Sequence, residues 1–133
     1  MKHYLSSLIS GVAIIFASTG YASAQDVPNL MGKWKGQSEG LGSSSGYISG
    51  PVTIDVTEQR GRTFRATIEY PDTGGSDTDP LVGVITADGK TIYFAGDDGF
   101  HVGSIEGNAL ETCYVQSGDE EAMAVCTKFE KQP

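Results

Sequence analysis

The feature that most constrains the fold is a succession of short segments in which apolar and polar side chains alternate. In residues 51–58, for example, Val52, Ile54 and Val56 alternate with polar residues. A period of two is typical of a strand with one buried face. Eight such segments occur, with no convincing helical period between them. The predicted strands are 31–37, 51–58, 62–70, 81–86, 90–95, 100–105, 109–116 and 122–130.

The residues between these segments indicate how the strands connect. Asp88-Gly89 separates the fourth and fifth segments and is a strong signal for a two-residue hairpin. Gly107-Asn108 and Gly118-Asp119 separate later ones. Successive hairpins predict an all-β, eight-stranded antiparallel up-and-down β-barrel, because closing the sheet removes exposed strand edges. A β-sandwich is the alternative, since local connections do not distinguish the two.

Residues 1–24 have the composition of a cleaved signal peptide. Lys2 precedes an apolar run over 8–16, and Ala22-Ser23-Ala24 provides small residues for cleavage. The run is shorter than the roughly 20 residues that span a bilayer. We therefore expect a periplasmic or secreted product. Removing 24 of the 133 residues leaves 109, a single domain over 25–133.

The chain beyond Ala24 is strongly acidic. It holds eight Lys and Arg against seventeen Asp and Glu, a net charge of −9. Nucleic acid and anionic membranes are therefore not expected as partners, because phosphate groups attract Lys and Arg. The charge favours a cationic partner, or it serves solubility alone.

The two cysteines, Cys113 and Cys126, are expected to form a disulfide in an oxidising compartment. A hairpin turn at 117–121 places them opposite each other on neighbouring strands. A metal or redox pair is not favoured, because no CxxC spacing is present.

An up-and-down order brings the connections after the first, third, fifth and seventh strands to one end of the barrel. These connections contain nine of the seventeen carboxylates and no Lys or Arg. This acidic rim is a candidate recognition surface for a cationic protein, such as a basic hydrolase; alternatively, Asp accumulates there only as a turn former. The acidic rim comprises Glu39, Asp72, Asp77, Asp79, Asp97, Asp98, Asp119, Glu120 and Glu121.

Catalytic signals in the sequence are weak. Residues 42–46 match G-x-S-x-G but lie in a Gly/Ser-rich segment without the strand and helix of a nucleophile elbow. His101 has no plausible nucleophile beside it in sequence. The segment 72–79 offers oxygen ligands without the EF-hand spacing. We expect no catalytic residue, no cofactor and no metal, and therefore a binding protein.

Gly32-x-Trp34-x-Gly36 at the start of the first strand resembles the opening motif of the calycin superfamily, the lipocalin and avidin type of barrel. The resemblance implies that Gly32 and Trp34 are structural and that the indole packs across the closed end, beneath Lys128 or Lys131. Alternatively, Trp34 is only a core aromatic. The tryptophans of the avidin biotin pocket are lacking, so biotin binding is not implied.

Small eight-stranded barrels hold one ligand or are filled by their own side chains. We therefore consider a small, partly apolar ligand inside the barrel as one function and recognition at the acidic rim as the other. Small exported barrels that inhibit lysozymes or metalloproteases are analogous in fold only. Aromatic residues of the strands are the candidate ligand-binding walls: Phe64, Tyr70, Tyr93, Phe94 and Tyr114.

Overall fold

A computed structural model of the chain describes residues 26–133, which form a closed antiparallel barrel. Consecutive strands pair with each other, and β8 pairs with β1 to close the sheet. The predicted eight-stranded barrel is confirmed, and the sandwich is not formed. The predicted signal peptide lies outside the described residues. The strands are β1 (Gly32–Gly42), β2 (Gly46–Arg60), β3 (Thr63–Asp72), β4 (Gly75–Ile85), β5 (Thr91–Ala95), β6 (Gly99–Glu106), β7 (Ala109–Gln116) and β8 (Met123–Lys131).

Two connections that the sequence predicts as long loops, 38–50 and 71–80, are instead extended hairpins. β1 and β2 remain paired as far as Gly42 and Gly46, and β3 and β4 as far as Asp72 and Gly75. The prediction was wrong because Gly, Ser and Asp obscure the alternation of side chains. The ladder itself is made by backbone groups, which these residues also supply.

The turns after β2, β4 and β6 lie together at one end, which we call the closed end. Gly61, Gly89 and Gly107 there have φ values of 56°, 70° and 59°, a backbone region that favours glycine. The chain enters across this end, where the Gln59 side chain bonds the Pro28 carbonyl and the Leu30 amide, each at 2.8 Å. Leu30, 1 % exposed, is thereby held in the end of the barrel.

Trp34 lies beside this entry segment and is buried. Its Nε1 donates a hydrogen bond to the Leu30 carbonyl at 2.8 Å. Lys131 Nζ lies 5.5 Å from the centroid of the indole ring and donates to the Asn29 carbonyl at 2.7 Å. The cation over the ring is therefore Lys131 of β8, and the indole closes this end.

Inward-facing side chains of the strands merge into one hydrophobic core. The ring of Phe64 occupies the space that a Cβ at position 83 would need, which explains the glycine there. The core thus fills the barrel from the closed end upward. Its members are Leu30, Trp34, Val52, Ile54, Val56, Phe64, Ala66, Ile68, Leu81, Ile85, Ile92, Phe94, Leu110 and Phe129.

The predicted disulfide between Cys113 and Cys126 is confirmed. The two residues are direct partners in the β7–β8 ladder. Their neighbours Thr112 and Thr127 are buried and face inward. The bridge therefore lies on the outer wall, because successive side chains of a strand point to opposite faces.

Candidate functional site

The turns after β1, β3, β5 and β7 form the end of the barrel opposite Trp34, and the acidic rim occupies it. All seventeen acidic residues and eight of the nine basic ones lie within 26–133. Nine of the acidic residues belong to the rim, so the eight others balance the eight basic residues. The net charge of −9 is therefore the charge of the rim, and the rest of the barrel is neutral.

The basic residues near the closed end do not neutralise the rim. Within residues 26–133, the ion pairs join Arg60 to Glu58 at 2.8 Å and Arg65 to Glu58 at 3.5 Å. None of them involves a rim carboxylate. Among the described residues, the rim therefore keeps its negative charge.

Tyr70 and Asp79 mark the inner edge of the rim, on the β3–β4 hairpin. The Tyr70 hydroxyl donates to Asp79 Oδ2 at 2.8 Å. Burial, together with this bond and the negative charge of Asp79, raises the pKa of Tyr70 well above its usual range. Burial also raises the pKa of Tyr114, as do the charges of Asp98 and Asp79. Tyrosines and carboxylates from β3, β4, β7 and the β5–β6 turn therefore meet at the mouth.

His101 lies beneath this mouth and is 7 % exposed. Its ring stacks on Phe94, with 4.3 Å between centroids, and lies 4.7 Å from the ring of Tyr114. Burial lowers the pKa of His101 to about 4, so the ring is neutral at pH 7. Its buried Nδ1 has no hydrogen-bond partner among the described residues.

Glu121 differs from the other rim carboxylates because it holds two turns together. It accepts hydrogen bonds from the Ser45 amide at 3.0 Å and the Ser45 hydroxyl at 2.7 Å, and these bonds lower its pKa. The backbone bond from Ser43 N to Ala122 O joins the same turns. Glu121 therefore shapes the rim.

The five candidate wall residues do not line one space. Phe64 and Phe94 are buried in the core, edge to face at 6.0 Å between centroids. Tyr70 and Tyr114 are half-buried at the mouth. Tyr93 points out of the barrel and is 47 % exposed. Since residues 92 and 94 both face inward, the period of two already excludes Tyr93 from the interior.

A depression that the sequence analysis missed lies on the outer wall. It is a groove of about 740 Å³ lined by residues of β2 to β6, including Arg60, Arg65, Val84, Tyr93 and Phe100. A smaller one, of about 170 Å³, lies at the rim beside Asp98. The sequence does contain a signal for this groove, because β4 and β5 have apolar residues on both faces. An interpretation based on alternation assigns only one face of each strand to the core and gives the other no role.

Across residues 26–133, no group of three His, Cys, Asp or Glu side chains is arranged to hold a metal ion. The same part of the chain contains no helix long and apolar enough to cross a membrane.

No protein-family model matches the sequence, and no curated protein matches it. A solved structure with a similar shape is the zebrafish ileal bile acid-binding protein in complex with cholic acid. The two chains are 16 % identical, the alignment covers 77 % of this chain and 98 % of the other, and the TM-score is 0.45. A likeness at this level concerns overall shape and says nothing of function.

Proposed function

We propose that this chain is an exported, non-enzymatic binding barrel that recognises a cationic protein or peptide through its acidic rim. The observation that carries the proposal is the location of the net charge at one end of a neutral barrel. Such a field attracts cations and accelerates their association. The rim stands on paired strands, and recognition sites are commonly loops on a rigid scaffold.

The filled interior favours the rim over a ligand deep inside the barrel. Phe64 and Phe94, which would line an internal site, are packed in the core. A nucleophile activated by His101 is also disfavoured, since burial lowers the pKa of this ring to about 4 and makes it a weak base, packed on Phe94 and against Tyr114. Binding without catalysis is the function this arrangement serves best.

The test is calorimetric titration with a decalysine peptide at low and high salt. One variant replaces four rim carboxylates, Asp97→Asn, Asp98→Asn, Asp119→Asn and Glu120→Gln; Glu121 is kept because it holds the rim together. The matched control removes the same charge from the wall through Asp55→Asn, Glu106→Gln, Glu111→Gln and Glu130→Gln.

We expect the native protein to bind decalysine with an affinity that falls as salt rises. The rim variant should bind at least about tenfold more weakly, whereas the wall control should stay within roughly twofold of the native protein. If decalysine affinity fell equally in both variants, binding would depend on the net charge of the chain and not on a site at the rim. No binding at low salt would refute the proposal.

A second candidate function is the binding of a small organic cation at the mouth. It is favoured by the unpartnered Nδ1 of His101, an acceptor for an N–H group if the proton is on Nε2, beneath the tyrosines and carboxylates. Tyrosine rings and carboxylates both attract ammonium groups. Titration with phenethylamine tests this function, and Tyr114→Leu should abolish binding there while leaving decalysine binding unchanged.

A further inference from the structure

The outer wall of the barrel carries an apolar patch, which we define as Val82, Val84, Tyr93, Phe100 and Val102. Each of these side chains is between 37 % and 55 % exposed. They account for five of the nine large hydrophobic residues exposed in the described part of the chain. All five lie on three neighbouring strands, β4, β5 and β6.

The register makes the patch continuous. Val84 pairs with Tyr93, and Tyr93 pairs with Val102, which gives one row across the three strands. Val82 and Phe100 lie in the adjacent row, on either side of Ala95. Contiguous apolar surface of this kind marks interaction sites in soluble proteins.

We propose that this patch is the interface of a two-fold dimer of the chain, with the two barrels antiparallel. A closed barrel has no free strand edge, so two copies do not extend one sheet, and an exposed apolar wall is the surface left for them to bury. Isologous contact requires a self-complementary surface, and an apolar patch meets that requirement.

The charge distribution sets the orientation of the second copy on the patch. Two chains of net charge −9 repel each other, but the charge resides in the acidic rims, so this repulsion is weakest when the two rims lie far apart. An antiparallel pair directs the two rims to opposite ends and places each beside the neutral part of the other barrel. A parallel pair would bring the two rims, each with nine carboxylates, side by side.

The border of the patch fits the same partner. Glu58 is held between Arg60 and Arg65 at the β2–β3 side of the groove, so both signs of charge occur within a few ångströms. Such a border matches its own two-fold copy, an arginine of one protomer facing the glutamate of the other. The groove beside it gives room for the half-exposed rings of Tyr93 and Phe100 from the partner.

Sedimentation velocity of the full chain over a series of micromolar concentrations tests the proposal. The native protein should sediment as a dimer that dissociates on dilution. Tyr93→Glu and, independently, Val84→Glu should each raise the dimer dissociation constant at least about a hundredfold. Tyr47→Glu is the control, because this tyrosine is 66 % exposed on β1–β2 and lies outside the patch. Circular dichroism and an intact disulfide verify that the variants fold.

Salt separates this interface from the acidic rim. The dimer should persist at about 0.5 M salt, where screening weakens decalysine binding. The four-carboxylate rim variant should still dimerise, and Tyr93→Glu should still bind decalysine.

A native protein that stays monomeric throughout the series would overturn the proposal, as would patch variants that associate like the native chain. Saturable binding of anilinonaphthalene sulfonate by a monomer, lost in Arg65→Gln, would instead identify the groove as a site for an apolar anion.

Discussion

Glu121 accepts two hydrogen bonds from Ser45, one from its amide and one from its hydroxyl, and so joins the β7–β8 turn to the tip of the β1–β2 hairpin. These residues are 76 positions apart in the chain. The Glu121 carboxylate therefore has a structural role, although it belongs to the acidic rim.

Glu121→Gln should loosen this tip without unfolding the barrel. The substitution replaces an ionised acceptor by a weaker neutral one, and charge-assisted bonds are the stronger kind. Hydrogen exchange should accelerate at the Ser44 and Ser45 amides, which both donate to Glu121, and stay unchanged in the β3–β4 ladder. Because the folded pKa of Glu121 is lowered, the same loosening should occur in the native protein as the pH falls through that pKa. Unaltered exchange would show that Ser43 and Ala122 hold the tip unaided.

Trp34 should be one of the most costly residues to truncate. Trp34→Ala removes a fully buried indole and leaves the Leu30 carbonyl without its donor. We expect a loss of about 3–5 kcal/mol in the free energy of unfolding, measured with urea. Lys131→Gln removes the cation over the ring together with its bond to the Asn29 carbonyl and should cost less, about 1–2 kcal/mol. Similar losses for both variants would contradict the assignment of Trp34 as the closure of this end.

The disulfide should stabilise the barrel without being needed to form it. The bridge links residues 13 positions apart on directly paired strands of the outer wall. Replacing both cysteines by serine should lower the free energy of unfolding by roughly 2–3 kcal/mol, mainly because the unfolded chain gains freedom. The circular dichroism spectrum should remain that of an all-β protein. Loss of this spectrum at 25 °C would show that the bridge is required for folding.

His101 should make the barrel less stable in acid. Its pKa is about 4 when folded and near 6.5 when unfolded, so the unfolded chain binds more protons between these values. Stability should therefore rise with pH over that window, by about 3 kcal/mol from this group. His101→Phe conserves the stack on Phe94 and removes both the titration and the unpartnered Nδ1. Urea unfolding at several pH values should show that the free energy of unfolding falls less in acid for this variant than for the native protein. An equal fall would assign the acid sensitivity to the carboxylates.

The sequence was most informative where the alternation of apolar and polar side chains coincides with the pairing of the backbone. Alternation predicts all eight strands, and β7 has the predicted bounds. Turn glycines such as Gly89 and the spacing of Cys113 from Cys126 also lead directly to the observed structure.

Prediction failed where the side chains do not reveal the pairing. The Gly- and Ser-rich tip of β1–β2 forms a ladder through its backbone, and Leu30 enters the core through a segment without periodicity. The apolar patch was missed because a strand with apolar residues on both faces, such as β5, does not show which face is inside. The location of the acidic rim followed from strand order alone, yet the structural role of Glu121 depended on contacts between distant turns.

The most direct measurement of the central claim is a titration of the isotopically labelled protein with decalysine, followed by amide chemical shifts in NMR spectra. If the acidic rim is the recognition surface, the shifts should move at the turns after β1, β3, β5 and β7 and should revert on addition of about 0.5 M salt. The amides of Gly61, Gly89 and Gly107 at the closed end should remain where they were. Shift changes spread evenly over both ends, or confined to the closed end, would contradict the account.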